Sequence, residues 1–155
     1  MNTTRDWNPH VTVASVICRD NKYLLVKEIA EGKEVYNQPA GHLEPNESLI
    51  EAAQRETFEE TGWHVKIESL LGMSRYVAPS NQETYIRFTF IANAIEHDTK
   101  AALDDGIISA HWFTKDEIIA LKQALRSPLI LNDIARFEQG IKLPLDSLYD
   151  YPENK

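Results

Sequence analysis

The stretch GHLEPNESLIEAAQRETFEETGW, residues 41–63, contains a loop, a capped helix and six glutamates. Ser48 and Glu51 have the S-x-x-E spacing of a capping box, which predicts a helix from Ser48 to about Thr61. Gly62 is expected to end that helix in a left-handed conformation. Carboxylates at this density are typical either of a solvated acidic helix or of a site whose negative charge is balanced by a bound partner.

The helical spacing places some of these carboxylates on the apolar side of the helix. An α-helix turns about 100° per residue, and the apolar side is formed by Leu49, Ile50, Ala52, Ala53 and Thr57. Glu56 and Glu60 fall on that same side, and Glu59 falls at its edge. A solvated charge run would instead place its carboxylates opposite the apolar side.

Ionised carboxylates that point inward are destabilising unless they are paired or bind a metal, and their mutual repulsion adds to the effect. A hard divalent cation removes both problems, because Mg²⁺ and Mn²⁺ prefer oxygen ligands. The helical geometry therefore favours a metal site over the alternative, a solvated or salt-bridged helix end.

Arg55 has two interpretations on sequence geometry alone. It can form an i,i+4 ion pair with Glu51, which would contribute a few tenths of a kcal/mol. It can instead hold a carboxylate in a fixed orientation behind the metal ligands, and Glu47 is the candidate for that carboxylate.

The composition is that of one globular domain over residues 1–155, with 43% hydrophobic and 26% charged residues. The net charge of -8 and the scattered Lys and Arg residues argue against nucleic acid as a partner. The single cysteine, Cys18, fits a reducing cytoplasm. No secretory signal is expected in residues 1–10, and no apolar run reaches the roughly 20 residues of a membrane span.

Strands and helices are mixed along the chain without regular alternation, which predicts an α/β (α+β) fold with a mixed sheet and helices packed on it. The predicted strands are residues 10–18, 23–28, 35–38, 65–76, 84–94 and 107–113. Besides the acidic helix, helices are predicted at 114–125, where Thr114 and Glu117 form a second capping box, and at 129–139. Residues 41–46 are expected to form a loop, and residues 114–145 a C-terminal helical extension.

The acidic stretch resembles the Nudix box, G-x5-E-x7-R-E-U-x-E-E-x-G-U, where U is bulky and aliphatic. Every fixed position is filled, by Gly41, Glu47, Arg55, Glu56, Glu59, Glu60 and Gly62. The two U positions differ, since Thr57 and Trp63 stand there. The segments PHVTVA (9–14), YNQPAGHLE (36–44), HWF (111–113) and RSPL (126–129) resemble the NudJ-type branch of the same family.

The resemblance implies an α/β/α sandwich in which residues 41–63 form a loop-helix-loop against the sheet. It also implies that the side chains of Glu56, Glu59 and Glu60 and the backbone carbonyl of Ala40 bind Mg²⁺, with Mn²⁺ as a possible substitute. Under the resemblance, Glu47 and Arg55 form an orienting pair.

The general base implied by the resemblance is Glu56 or Glu59, and Glu83 is a candidate outside the box. For Asp104 and Asp105, in the loop before the last predicted strand, an ordinary turn is favoured over a metal ligand. Arg75, Arg87 and Arg126 are candidates either for phosphate contacts or for plain surface positions. His42 either faces the site or is a simple loop residue.

The implied reaction is metal-dependent hydrolysis of nucleoside tri- and diphosphates or of hydroxymethylpyrimidine pyrophosphate, by attack of water on phosphorus. Two alternative functions are considered. The first is a Nudix hydrolase for another diphosphate-linked substrate, such as an ADP-sugar or a dinucleoside polyphosphate. The second is a non-catalytic nucleotide-binding module. The expected partner is a small molecule, not a membrane, and the expected assembly is a monomer or homodimer.

Overall fold

The computed structural model describes residues 6–151. The expectation about a secretory signal rests partly on residues 1–5, which lie outside this range, as do residues 152–155. Within residues 6–151, no helix is both long and apolar enough to cross a membrane.

Seven strands and three α-helices make up the described part of the chain. The strands are β1 (His10–Arg19), β2 (Lys22–Ala30), β3 (Lys33–Asn37), β4 (Ala40–His42), β5 (Trp63–Val77), β6 (Thr84–His97) and β7 (Ile107–Thr114). The helices are α1 (Leu49–Thr61), α2 (Lys115–Ala120) and α3 (Leu129–Glu138), with short 3₁₀ turns at Lys122–Ala124 and Leu145–Ser147.

The strands form one mixed sheet in the order β3-β2-β1-β6-β5, with β4 paired to β1 and β7 paired to β2. Strands β1 and β6 run parallel, and the other pairs are antiparallel. The mixed sheet and α+β composition confirm the fold class predicted from the sequence.

Helices cover both faces of the sheet, and each face has its own buried cluster. Ala52 and Ala53 of α1 pack with Val13, Leu24 and Phe90 on one face. On the other face, Ile118 of α2 and Ile130 and Ile134 of α3 pack with strand residues that include Val16, Leu25 and Leu71. Helices α2 and α3 therefore lie on the opposite face of the sheet from α1. Burying each large aliphatic side chain contributes about 1.5–3 kcal/mol, and the result is the expected α/β/α sandwich.

Two local predictions were wrong. The predicted loop at 41–46 begins as strand β4, because Gly41 lies opposite Val13 in the β1 ladder. The helix predicted over 114–125 starts as expected at the Thr114 capping box but ends at Ala120. The chain leaves the helical path because Leu125 forms a bridge with Tyr36 of β3, and such a tertiary pairing overrides local helix propensity.

Candidate active site

Helix α1 is fixed at both ends by the residues that the sequence indicated. The Ser48 hydroxyl accepts from the Glu51 backbone N–H at 3.1 Å, and the Glu51 carboxylate accepts from the Ser48 N–H at 2.7 Å. Gly62 ends the helix at φ 73° and donates its N–H to the Phe58 carbonyl. The capping box and the left-handed end are both confirmed, and they set the position of the glutamates between them.

Arg55 forms a two-point contact with Glu47. Its Nε donates to Glu47 Oε2 at 2.9 Å, and its Nη2 donates to Glu47 Oε1 at 2.7 Å. This bidentate geometry is the strongest form of Arg–carboxylate pairing, and it holds the pKa of the Glu47 carboxyl below its usual range. Of the two interpretations of Arg55, the geometry supports the pair with Glu47, while Glu51 serves the helix cap.

The same guanidinium connects α1 to the neighbouring strand and to two further glutamates. Arg55 Nη1 donates to Glu56 Oε1 at 2.9 Å and to Glu59 Oε2 at 3.1 Å, and Nη2 donates to the His42 carbonyl at 3.0 Å. Hydrogen bonds to these carboxylates, that to Glu47 first among them, raise the pKa of Arg55 above its ordinary value. Arg55 therefore restrains the box carboxylates from one side.

Glu56 and Glu59 meet a third carboxylate, from Asp104. Each of the three offers an oxygen that lies within 4.8 Å of the others. Desolvation is the main reason why the pKa of Glu56 lies above its ordinary value. Three carboxylates this close repel one another, and among the described residues they are the one group with the spacing of a metal site.

The sequence interpretation underrated Asp104. Its backbone does form the expected turn, since the Ile107 N–H donates to the Asp104 carbonyl at 3.0 Å. The Asp104 N–H also donates to the Glu59 carbonyl at 2.9 Å, which brings the loop against α1 and the Asp104 carboxylate against Glu56. The two adjacent aspartates before β7 were the available signal, but only the tertiary contact tells Asp104 from Asp105.

Glu60 points to a different place, towards β4. It is 6% exposed, and its Oε1 accepts from the Ala40 backbone N–H at 2.7 Å. Burial raises the pKa of Glu60 to about 8, an effect to which the negative charges of Glu28 and Glu56 add. Glu60 lies outside the 4.8 Å group formed by Glu56, Glu59 and Asp104.

The backbone of Ala40 faces the same region. The Ser15 N–H donates to the Pro39 carbonyl, and the Leu43 N–H donates to the Val11 carbonyl. Hydrogen bonds to β1 are therefore made by alternate residues of this segment, and Ala40 lies between two of them. In an antiparallel ladder the residues between bonded positions turn both their N–H and C=O away from the partner strand. The Ala40 carbonyl is therefore directed away from β1, on the side where its N–H meets Glu60.

The other candidates lie in separate places. Glu83 Oε2 lies 2.6 Å from His10 Nε2, in a polar cluster with the His42 ring, which lies 2.9 Å from His10.

The three candidate arginines have different environments. Arg75 is exposed on β5. Arg87 is buried and contacts Gln38 and Asp133, whereas Arg126 pairs with Glu28.

The donor set of the acidic group is suited to a hard cation. Its carboxylate oxygens come from α1 and from the loop before β7, and carboxylate oxygens are ligands that Mg²⁺ and Mn²⁺ prefer. A cation there would offset the mutual repulsion of Glu56, Glu59 and Asp104.

Comparisons with known proteins identify the family. The family model for the NUDIX domain matches residues 8–132. The chain is 37% identical over 145 residues to Phosphatase NudJ from Escherichia coli K12, covering 94% of each sequence, and the Shigella flexneri relative matches equally. A solved NUDIX hydrolase from Nitrosomonas europaea is 47% identical, with a TM-score of 0.91 over 93% of this chain and 98% of that one. The chain belongs to the NUDIX family and is a Nudix hydrolase.

Proposed function

We propose that this hydrolase cleaves phosphoanhydride bonds in nucleoside tri- and diphosphates, in hydroxymethylpyrimidine pyrophosphate, or in both. Phosphate is released by attack of water on phosphorus, with Mg²⁺ as the cofactor and Mn²⁺ as a possible substitute. The observation that carries this proposal is the group formed by Glu56, Glu59 and Asp104, restrained by Arg55. The similarity to Phosphatase NudJ supports release of phosphate.

The residues that would hold the metal are Glu56, Glu59 and Glu60 and the carbonyl of Ala40, to which the geometry adds Asp104. Metal bound there would neutralise phosphate charge and make a water molecule more acidic. Glu60 is fixed by the Ala40 N–H, so its position and that of the Ala40 carbonyl are coupled.

The protein groups have separate roles in the proposed reaction. Glu56 or Glu59 accepts the proton of the attacking water, because each offers a carboxylate oxygen within the acidic group that would hold the metal. Arg55 and Glu47 keep these carboxylates in place through the hydrogen bonds described above. The leaving phosphate departs in line with the attacking water, and this route requires no covalent intermediate with the protein.

We also propose a domain organisation, an assembly state and a cellular location for the protein. Residues 1–155 act as a single domain, as a monomer or homodimer, on a small-molecule substrate in the cytoplasm. The single cysteine, Cys18, supports a reducing compartment.

The test is phosphate release over a substrate panel, measured with MgCl₂ and with EDTA. The panel holds nucleoside tri- and diphosphates, hydroxymethylpyrimidine pyrophosphate, ADP-ribose and a dinucleoside tetraphosphate. Metal-dependent orthophosphate release from the first two groups is expected. A strong preference for ADP-ribose or the dinucleotide would overturn the substrate assignment, and metal binding without any turnover would indicate a non-catalytic module.

A further inference from the structure

Arg126 is the first residue of the RSPL segment, and the roles proposed above do not account for it. It lies between the 3₁₀ turn at Lys122–Ala124 and helix α3. Its side chain is 52% exposed, while the side chain of its partner Glu28 is 7% exposed. A guanidinium that is anchored on a buried carboxylate and still open to solvent is placed to receive an anionic ligand.

The backbone of Arg126 is fixed against the strand that leads into the active site. Its N–H donates to the Tyr36 carbonyl at 2.9 Å, and Leu125 forms a parallel bridge with the same residue. Tyr36 lies on β3, and the chain runs from there through Pro39 to Ala40, whose N–H binds Glu60. The Arg126 segment is therefore attached to the strand that leads into β4, where the Ala40 N–H contacts Glu60.

The side chain of Arg126 is oriented as well as located. Its Nη1 donates to Glu28 Oε1 at 2.6 Å. A guanidinium carries five N–H donors in a rigid plane, so a bond through one nitrogen restricts the directions of the others. The partner Glu28 lies opposite Ile107 in the β2–β7 ladder, three residues after Asp104 of the acidic group.

Arg126 and the acidic group carry opposite charges. The carboxylates of Glu56, Glu59 and Asp104 favour a cation, whereas Arg126 offers hydrogen-bond donors to an anion. Arg binds phosphate oxygens in pairs and stays charged at all relevant pH values. A terminal phosphate offers three unesterified oxygens to such a plane, and an esterified phosphate offers one fewer and less negative charge.

We propose that Arg126 binds the terminal, unesterified phosphate of the substrate, and that Glu28 positions its guanidinium. This inference rests on the proposed function. Arg126 then makes the site selective for compounds that end in a phosphate, such as nucleoside triphosphates, over compounds in which both ends are esterified.

The first test compares two substrates with the same nucleoside, ATP and diadenosine tetraphosphate, by their kcat/KM at saturating Mg²⁺. Replacing Arg126 by Ala is expected to lower kcat/KM for ATP about 100-fold and to leave the value for the tetraphosphate within about threefold. The matched control is Arg75→Ala on exposed β5, which should leave both values unchanged. Equal losses on both substrates would assign Arg126 to the support of the whole site and overturn its role in selectivity.

The second test measures binding and does not depend on turnover. Methylenebisphosphonate, a non-hydrolysable compound with two terminal phosphonates, is titrated calorimetrically with Mg²⁺ present. Arg126→Ala and Arg126→Gln should both bind it at least about tenfold more weakly than the wild type. The Gln variant retains a donor for the buried Glu28 carboxylate, and its thermal unfolding shows whether the fold is kept.

The kinetic and binding experiments together distinguish failure of the proposed function from failure of the inference about Arg126. If the wild type hydrolyses neither nucleotide but binds the bisphosphonate through Arg126, the proposed function fails and the inference about the phosphate site stands. Wild-type affinity in the folded Gln variant would overturn the inference, whatever the catalytic activity.

Discussion

A Cβ atom on Gly41 would lie 2.1 Å from the carboxyl carbon of Glu56, and 2.2 and 2.4 Å from its two oxygens. These distances are far shorter than any van der Waals contact. The Glu56 carboxylate therefore occupies the space that a side chain on β4 would need. The absence of a side chain at Gly41 is what allows this close approach between strand and helix.

We predict that Gly41→Ala displaces the Glu56 carboxylate and lowers turnover. A displacement of about 1 Å at a reacting centre can lower the rate about 100-fold, and loss of this magnitude is expected together with weaker Mg²⁺ binding. Steady-state kinetics and a metal titration check both effects.

Gly32→Ala is the control for this prediction. Gly32 has φ 74°, and a Cβ there would meet nothing within 4 Å. That substitution should lower the unfolding free energy by about 1 kcal/mol, because a left-handed backbone favours glycine, and leave kcat unchanged. Full activity in Gly41→Ala would show that Glu56 can move without loss of function.

The second prediction concerns the restraint that Glu47 exerts through Arg55. Glu47→Gln removes the charge that holds the guanidinium at two points, so Arg55 is expected to orient Glu56 and Glu59 less well. Loss of such a supporting contact typically lowers activity or metal affinity about 10–100-fold. The control is Glu51→Gln, which keeps the S-x-x-Q form of the capping box and should retain full kcat. Equal kcat in the two variants would contradict the orienting role.

The third prediction separates Asp104 from its neighbour. Asp104→Asn keeps the backbone hydrogen bond to the Glu59 carbonyl but removes the negative charge of one of the three carboxylates in the acidic group. Calorimetric titration should show Mg²⁺ affinity lower by about tenfold or more, whereas Asp105→Asn should bind as the wild type does, since Mg²⁺ prefers charged oxygen ligands. If both variants bind alike, Asp104 is a turn residue only, as the sequence interpretation favoured.

Local patterns predicted the parts of the site that depend on local geometry. The caps at Ser48 and Gly62 follow from short-range hydrogen bonding, and the spacing from Glu47 to Arg55 on one side of the chain permits their pairing. The structure agrees with both. Periodicity also placed Glu60 among the buried residues of α1, where it is found.

Contacts between distant segments explain what the sequence did not predict. Helical spacing grouped Glu56 with Glu60, yet Asp104 joins Glu56 and Glu59 because its loop is bonded to the Glu59 carbonyl. Likewise, nothing local shows that Arg126 reaches the buried Glu28, since their pairing depends on how the segment before α3 attaches to β3. These arrangements depend on the tertiary fold, which short-range patterns do not encode.

The last prediction follows from the buried carboxyl of Glu60. Burial raises its pKa from the ordinary 4.5 to about 8, so the folded, metal-free protein keeps a proton that the unfolded chain releases. The unfolding free energy should therefore fall as pH rises from about 4.5 to about 8 and change little through Glu60 outside this window. Thermal unfolding in EDTA should show this slope in the wild type and a weaker slope in Glu60→Gln. Because a metal binds the ionised form, the rise in Tm on adding Mg²⁺ should grow over the same pH range. An identical slope in both proteins would show that Glu60 is ionised when metal-free.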